Sequence, residues 1–128
     1  MTPQEILDFA DRYVTALEGD DLALVQSFYA PHARLWHNTD DIAQNLEISM
    51  KSMKWFMRNL PGRHYRVLRR EALSDGFLQQ HVLEATLPDG AAWCLKACVV
   101  VTVVDGQITR LDEYMYSAET AALAGVRR

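Results

Sequence analysis

Four polar side chains fall on faces whose other members are apolar, and their types make an acid–base set. Tyr13 belongs to the stripe Ile6, Phe9, Ala10, Tyr13 and Leu17, spaced for one side of a helix. His37 follows Ala33 and Leu35, His81 shares the alternating face Phe77, Gln79, His81, Leu83, Ala85 and Leu87, and Glu113 lies between Leu111 and Met115. Side chains two apart on a strand share a face, so all four are expected to point inward with their hydrophobic neighbours. An acid on such a face is costly without a partner. Histidine titrates near neutral pH, a desolvated glutamate moves toward it, and a phenol can hydrogen-bond a developing oxyanion. The chemistry implied is proton transfer without a covalent nucleophile. The same groups can equally serve as hydrogen-bonded core residues.

The elements that must position them follow from local signals. Thr2-Pro3-Gln4-Glu5 combines an N-cap hydroxyl, a proline at the first helical position and a glutamate placed to bond back, and Gly19 stops the helix that follows. Asp20 or Asp21 caps a second helix with Leu22, Val25, Phe28 and Tyr29 on its apolar side, ending before Pro31. Residues 33–38 alternate as a short strand, placing Trp36 and Asn38 off the face of His37. Helical spacing of Ile42, Leu46, Met50, Met53, Phe56, Met57 and Leu60 predicts the longest helix over 42–60, capped by Asp40 or Asp41 and ended by Pro61-Gly62. From His64 to Tyr116, the turn sequences Ser74-Asp75-Gly76, Pro88-Asp89-Gly90 and Val104-Asp105-Gly106 separate four strands of a meander. Strands this long should bend through bulges. The tail from Ser117, with Gly125 and the terminal arginines, is a last helical turn or a frayed end.

The predicted fold is therefore α+β: a curved, mostly antiparallel sheet wrapped around three N-terminal helices, in one domain over residues 1–128. Three helices cannot fill the open end of such a cone, so a pocket is expected there. Trp93 shares the inward face of strand 91–104, and Trp36 and Trp93 are candidate platforms for a flat ligand. Arg110 and Asp112 fall on the outward face of the last strand, beside Tyr114.

Composition removes several alternatives. The 128 residues are 49% hydrophobic with a net charge of −4, which favours neither nucleic acid nor an anionic membrane. Seven basic residues between 48 and 71 (Lys51, Lys54, Arg58, Arg63, Arg66, Arg69, Arg70) face one acid, Glu71, and read as a solvated face or a subunit contact. No apolar run is long enough to span a membrane, and the acidic opening does not suit a signal peptide, so a cytoplasmic protein is expected. Cys94 and Cys98 sit on one strand about 13 Å apart, beyond disulfide reach, and are expected as reduced thiols. The histidines show no metal-ligand spacing, and no phosphate loop or nucleophile elbow occurs, so neither metal nor cofactor is implied.

The run Tyr13-Val-Thr-Ala-Leu-Glu-Gly-Asp-Asp-Leu, continued by Phe28-Tyr29-Ala30-Pro31-His32-Ala33 and Leu35-Trp36-His37-Asn38, resembles the opening of the nuclear-transport-factor-two-like superfamily. Asp105-Gly106-Gln107-Ile108-Thr109-Arg110-Leu111-Asp112-Glu113-Tyr114 resembles the terminal hairpin of its SnoaL-like members. The resemblance implies that Tyr13 takes the place of the oxyanion-stabilising tyrosine of ketosteroid isomerases. It sets His37 where those enzymes keep an aspartate base, and Glu113 near the last-strand acid of other members.

The expectation is an isomerase or lyase, dehydratases included, acting on a small apolar cyclic or aromatic carbonyl or hydroxy compound. Tyr13, His37 and Glu113 would be catalytic, with either His37 or Glu113 as the base. His81, Trp36, Asn38, Trp93 and Phe56 would contact substrate. The alternative is a non-catalytic domain of the same fold that holds an apolar ligand or serves for dimerisation. In either case a homodimer would pair through outward residues Val82, Thr86, Val100 and Thr102.

Overall fold

The computed structural model describes residues 1–126. Helix α1 (Pro3–Glu18) starts on a reciprocal cap, in which Thr2 Oγ1 accepts from the Glu5 N–H at 3.1 Å and Glu5 Oε1 accepts from the Thr2 N–H at 2.9 Å. It buries Ile6, Phe9, Ala10, Tyr13, Val14 and Ala16. Helix α2 (Leu22–Ser27) is capped by Asp21, which accepts from the Leu24 N–H at 3.1 Å.

Two element boundaries differ from the sequence reading. Helix α2 stops at Ser27, so Tyr29 opens strand β1 (Tyr29–His37) and is not part of the helix's apolar side. The chain must become extended ahead of Pro31, and Pro31 lies where the β1 register shifts, between Tyr29 and Arg34, a position that spares the ladder its missing N–H. The expected helix from Ile42 begins instead with strand β2 (Ile42–Asn45), and helix α3 runs Leu46–Asn59. Asp40 Oδ1 accepts from the Ile42 N–H at 3.0 Å and Asp41 takes a positive φ of 56°, closing a β1–β2 hairpin. Asn45, not Asp40 or Asp41, caps α3 by accepting from the Ile48 N–H at 2.9 Å.

The meander consists of β3 (His64–Leu73), β4 (Gly76–Thr86), β5 (Ala92–Val104) and β6 (Gln107–Met115). Asp105 and Gly106 both have positive φ, 51° and 75°, as a two-residue type I′ hairpin requires. Gly76 is demanded by packing: a Cβ there would lie 1.8 Å from the Val101 carbonyl oxygen. The chain ends in short helical turns, α4 (Ser117–Thr120) and a 3₁₀ segment (Ala121–Gly125), while Arg127 and Arg128 lie outside the described residues.

The fold is α+β, and the described strands form one sheet in the order β2-β1-β6-β5-β4-β3, antiparallel except where β1 and β6 run parallel. Register shifts at Val67/Arg69 and Thr102/Val103 mark the bulges that bend the long strands. The helices cover the concave face. Phe9 meets Phe28 edge-on at 5.4 Å in the main core, and a second cluster gathers Leu60, Leu83, Trp93 and Leu95 with Leu123 packed against it.

The outer face departs from expectation at Val82, which is only 5% exposed and lies in register between Arg66 and Lys96, so it offers no free apolar surface. The basic stretch is not wholly a solvated face either. Arg63 is 2% exposed and donates to the Leu17, Gly19 and Leu60 carbonyls, and Arg70 points inward from β3. Cys94 and Cys98 are free, and Cys94 Sγ is 3.5 Å from Glu119 Oε2. No described helix is long and apolar enough to cross a membrane.

Candidate active site

The parallel pairing of β1 with β6 sets His37 directly opposite Glu113 on the concave face. His37 Nε2 lies 3.4 Å from Glu113 Oε1, and each side chain is 21% exposed. Hydrogen bonding toward the Glu113 carboxylate raises the His37 pKa above that of an ordinary histidine. Burial opposes the shift, and the charges of Glu113 and Asp40 add to it. The pair thus binds a proton more tightly than a free imidazole would.

The two strands are latched at this point by Asn38. Its Nδ2 donates to the Met115 carbonyl at 3.2 Å, its Oδ1 accepts from the Met115 N–H at 2.8 Å, and its own N–H donates to the Glu113 carbonyl at 3.1 Å. Asn38 therefore positions the pair and does not line the cavity. Trp36 is also off the site, because strand alternation turns it to the opposite face. There its Nε1 donates to Asp41 Oδ1 at 2.8 Å and its ring meets Tyr114 edge-on at 5.2 Å. Arg110 and Asp112 pair on that same side at 2.7 Å. Trp93 faces inward but is absorbed into the second core cluster, its Nε1 donating to the Glu119 carbonyl at 2.8 Å.

A cavity of about 170 Å³ opens in front of His37 and Glu113. Tyr13 and His81 also line it, as does Phe56 from α3, so the four polar groups singled out by helical spacing and strand alternation meet around one space. Much of the remaining wall is hydrocarbon, including Val14, Leu35, Met53, Leu83 and Leu111.

Tyr29, which helical spacing places on the second helix, joins the site. Its hydroxyl is in hydrogen-bond contact with that of Tyr13, and both rings are buried. Burial pushes both phenol pKa values well up, so each hydroxyl stays neutral and able to donate. Strand alternation gives no signal for it, because the register shifts between Tyr29 and Arg34 and Pro31, on the parity of Ala33, Leu35 and His37, is exposed, while helical spacing with Val25 points to α2 instead.

The opposite wall holds a second polar chain. His81 Nδ1 lies 3.0 Å from Gln79 Nε2, Gln79 Oε1 accepts from Arg70 Nε at 2.8 Å, and Arg70 Nη1 reaches Asp11 Oδ1 at 3.1 Å. Tyr65 stands edge-on to the His81 ring at 5.1 Å. Desolvation lowers the His81 pKa, reinforced by the Arg70 charge and opposed by that of Glu113. Among the described residues, no group of three or more His, Cys, Asp or Glu side chains is placed to hold a metal ion.

A curved sheet and three helices enclosing such a cavity define an α+β cone of the nuclear-transport-factor-two-like type. The SnoaL-like domain profile matches residues 10–111, and the chain belongs to that family. Among solved structures, AclR from Streptomyces galilaeus is similar with a TM-score of 0.85 at 16% identity, covering 99% of this chain and 89% of that one. An LEH-like epoxide hydrolase of M. tuberculosis gives a TM-score of 0.77 at 15% identity, covering 95% and 90%. AusH from Aspergillus nidulans gives 0.79 at 16%, covering 91% and 86%. No curated protein matches the sequence. At these identities the likeness establishes the fold, and activity must be argued from the chain's own residues.

Proposed function

We propose that the chain is an acid–base isomerase or lyase, acting on a small apolar cyclic or aromatic carbonyl or hydroxy compound. The observation that carries this reading is the His37–Glu113 pair sharing one largely apolar cavity with the Tyr13–Tyr29 hydroxyl pair. His37, neutral and backed by Glu113, takes a proton from a carbon adjacent to the substrate carbonyl. The bonding electrons move onto the carbonyl oxygen, where a phenol hydroxyl of the Tyr13–Tyr29 pair donates a hydrogen bond. Isomerisation returns the proton to a different carbon. Elimination delivers it to a departing β-hydroxyl, which leaves as water. Glu113 compensates the imidazolium that forms in between, which suits the tightened hold on the proton at His37.

The test is proton exchange at the α-carbon of enolisable ketones in D₂O, followed by NMR, alongside dehydration of β-hydroxy aromatics. His37→Ala should slow either reaction by about 10²–10⁴-fold, the usual contribution of a positioned acid–base group. Exchange by the wild type that survives His37→Ala unchanged removes His37 from the mechanism. Ligand binding without any turnover in the wild type establishes a binding domain instead.

A further inference from the structure

The wall facing His37 and Glu113 carries a polar chain that proton transfer does not require. Its members are held in a fixed donor–acceptor order by chemistry alone. Arg70 can only donate, so the Gln79 atom 2.8 Å from its Nε must be the amide oxygen. The Gln79 NH₂ is therefore the group 3.0 Å from His81 Nδ1, and it too can only donate. Nδ1 must accept, which leaves the single proton of a neutral imidazole on Nε2. A second proton on His81 would set two donors against each other in a buried site. Asp11 anchors the outer end, holding Arg70 at 3.1 Å from the same helix that carries Tyr13.

Nε2 has no hydrogen-bond partner among the described residues, although the ring lines the cavity and the residue is only 5% exposed. Across the sheet Glu113 pairs with Val99 and Val99 with Gln79, so Gln79 stands two strand spacings, roughly 10 Å, from Glu113. His81 is the next residue on that face. We propose that His81 is a substrate-selecting hydrogen-bond donor, poised by Gln79 and Arg70 to present Nε2–H to a second, neutral oxygen acceptor on the side of the substrate away from Glu113. The preferred substrates are thus dioxygenated ring compounds, such as a cyclic ketone bearing an ether, hydroxyl or second carbonyl on its far side. A carboxylate in that place is disfavoured, because His81 is uncharged and the Glu113 carboxylate shares the cavity.

This inference places the substrate in the site proposed above but does not depend on proton transfer occurring there. It is tested with two probes, 1-tetralone and 6-methoxy-1-tetralone, by calorimetric binding and α-proton exchange, together with ¹⁵N NMR of the His81 ring. The expected results are an Nε2–H neutral tautomer in the free protein and about tenfold tighter binding of the methoxy ketone, the scale of one neutral hydrogen bond. Gln79→Glu replaces the donor to Nδ1 with an acceptor of the same shape. It should move the ring to the Nδ1–H tautomer, in which Nε2 accepts instead of donating, and erase the tenfold preference. His81→Phe keeps the ring volume and should bring the methoxy ketone to the affinity of 1-tetralone.

An Nδ1–H tautomer in the wild type overturns the proposal, and so does equal binding of the two ketones or failure of both to bind. Exchange of both ketones without preference sinks this inference alone and leaves the acid–base reading intact. A His81-dependent binding preference without exchange does the reverse.

Discussion

At the scale of single residues, the tightened proton on His37 has two measurable consequences. Its folded-state pKa is raised, so the interaction stabilises the fold fully below the unfolded value of about 6.5. That stability is lost as pH climbs through the higher folded value. Glu113→Gln removes the main cause of the shift, and the His37 titration followed by NMR should move to lower pH. If His37 acts as base, the acid limb of the pH–rate profile moves with it while the plateau falls about 10²-fold. The stability deficit of the variant should be larger near pH 6 than near pH 8. A His37 titration unmoved by the substitution contradicts the coupling read from the 3.4 Å contact. The phenol pair makes a separate prediction. Tyr13→Phe keeps the packed ring but takes from Tyr29 its hydroxyl partner, so the loss of stability should stay at about 1 kcal/mol while turnover drops on the order of 10²-fold. A variant that loses stability and turnover in parallel would instead mark Tyr13 as a core residue.

At the scale of elements, the ends of β1 and β6 are held in register by one exposed side chain. Asn38→Ala removes both hydrogen bonds to Met115 and should cost about 1–2 kcal/mol in urea unfolding. The loosened strand ends carry His37 and Glu113, so kcat should fall more than KM rises. Equal stability of variant and wild type would show that the backbone ladder holds the strands unaided. The start of β4 makes a harsher demand. Gly76→Ala forces a Cβ onto the Val101 carbonyl oxygen, and because the Cβ has no rotamer to escape into and the carbonyl is backbone, the strands must separate. A loss of roughly 3 kcal/mol or more is expected in chemical denaturation, against the few tenths that an unconstrained surface change would cost.

At the scale of the whole molecule, Arg63 joins parts distant in sequence. Its buried guanidinium donates to the last carbonyls of α1 and to Leu60 at the end of α3, while its backbone leads into β3. Arg63→Met should destabilise by about 3 kcal/mol, measured by calorimetry, because the carbonyls of Leu17 and Gly19 lose their partner together. Much of this architecture was legible in the chain. The Thr2–Glu5 cap, the Asp105-Gly106 turn and the inward faces of His37, His81 and Glu113 depend on neighbours within a few residues, and alternation reports them directly. Two short segments resisted. Tyr29 and Ile42–Asn45 carry apolar residues at helical spacing, yet both pair as strands, since partners far along the chain supply their hydrogen bonds. The same limit applies to the site. Local pattern determined which side chains turn inward, because a strand's period is a property of the backbone. Only the tertiary structure decided which of them meet: the parallel β1–β6 pairing joins His37 to Glu113, the early start of β1 brings Tyr29 to Tyr13, and α1 beside β3 completes the chain from Asp11 to His81. Strand order and register are contacts between distant residues, and no local period encodes them.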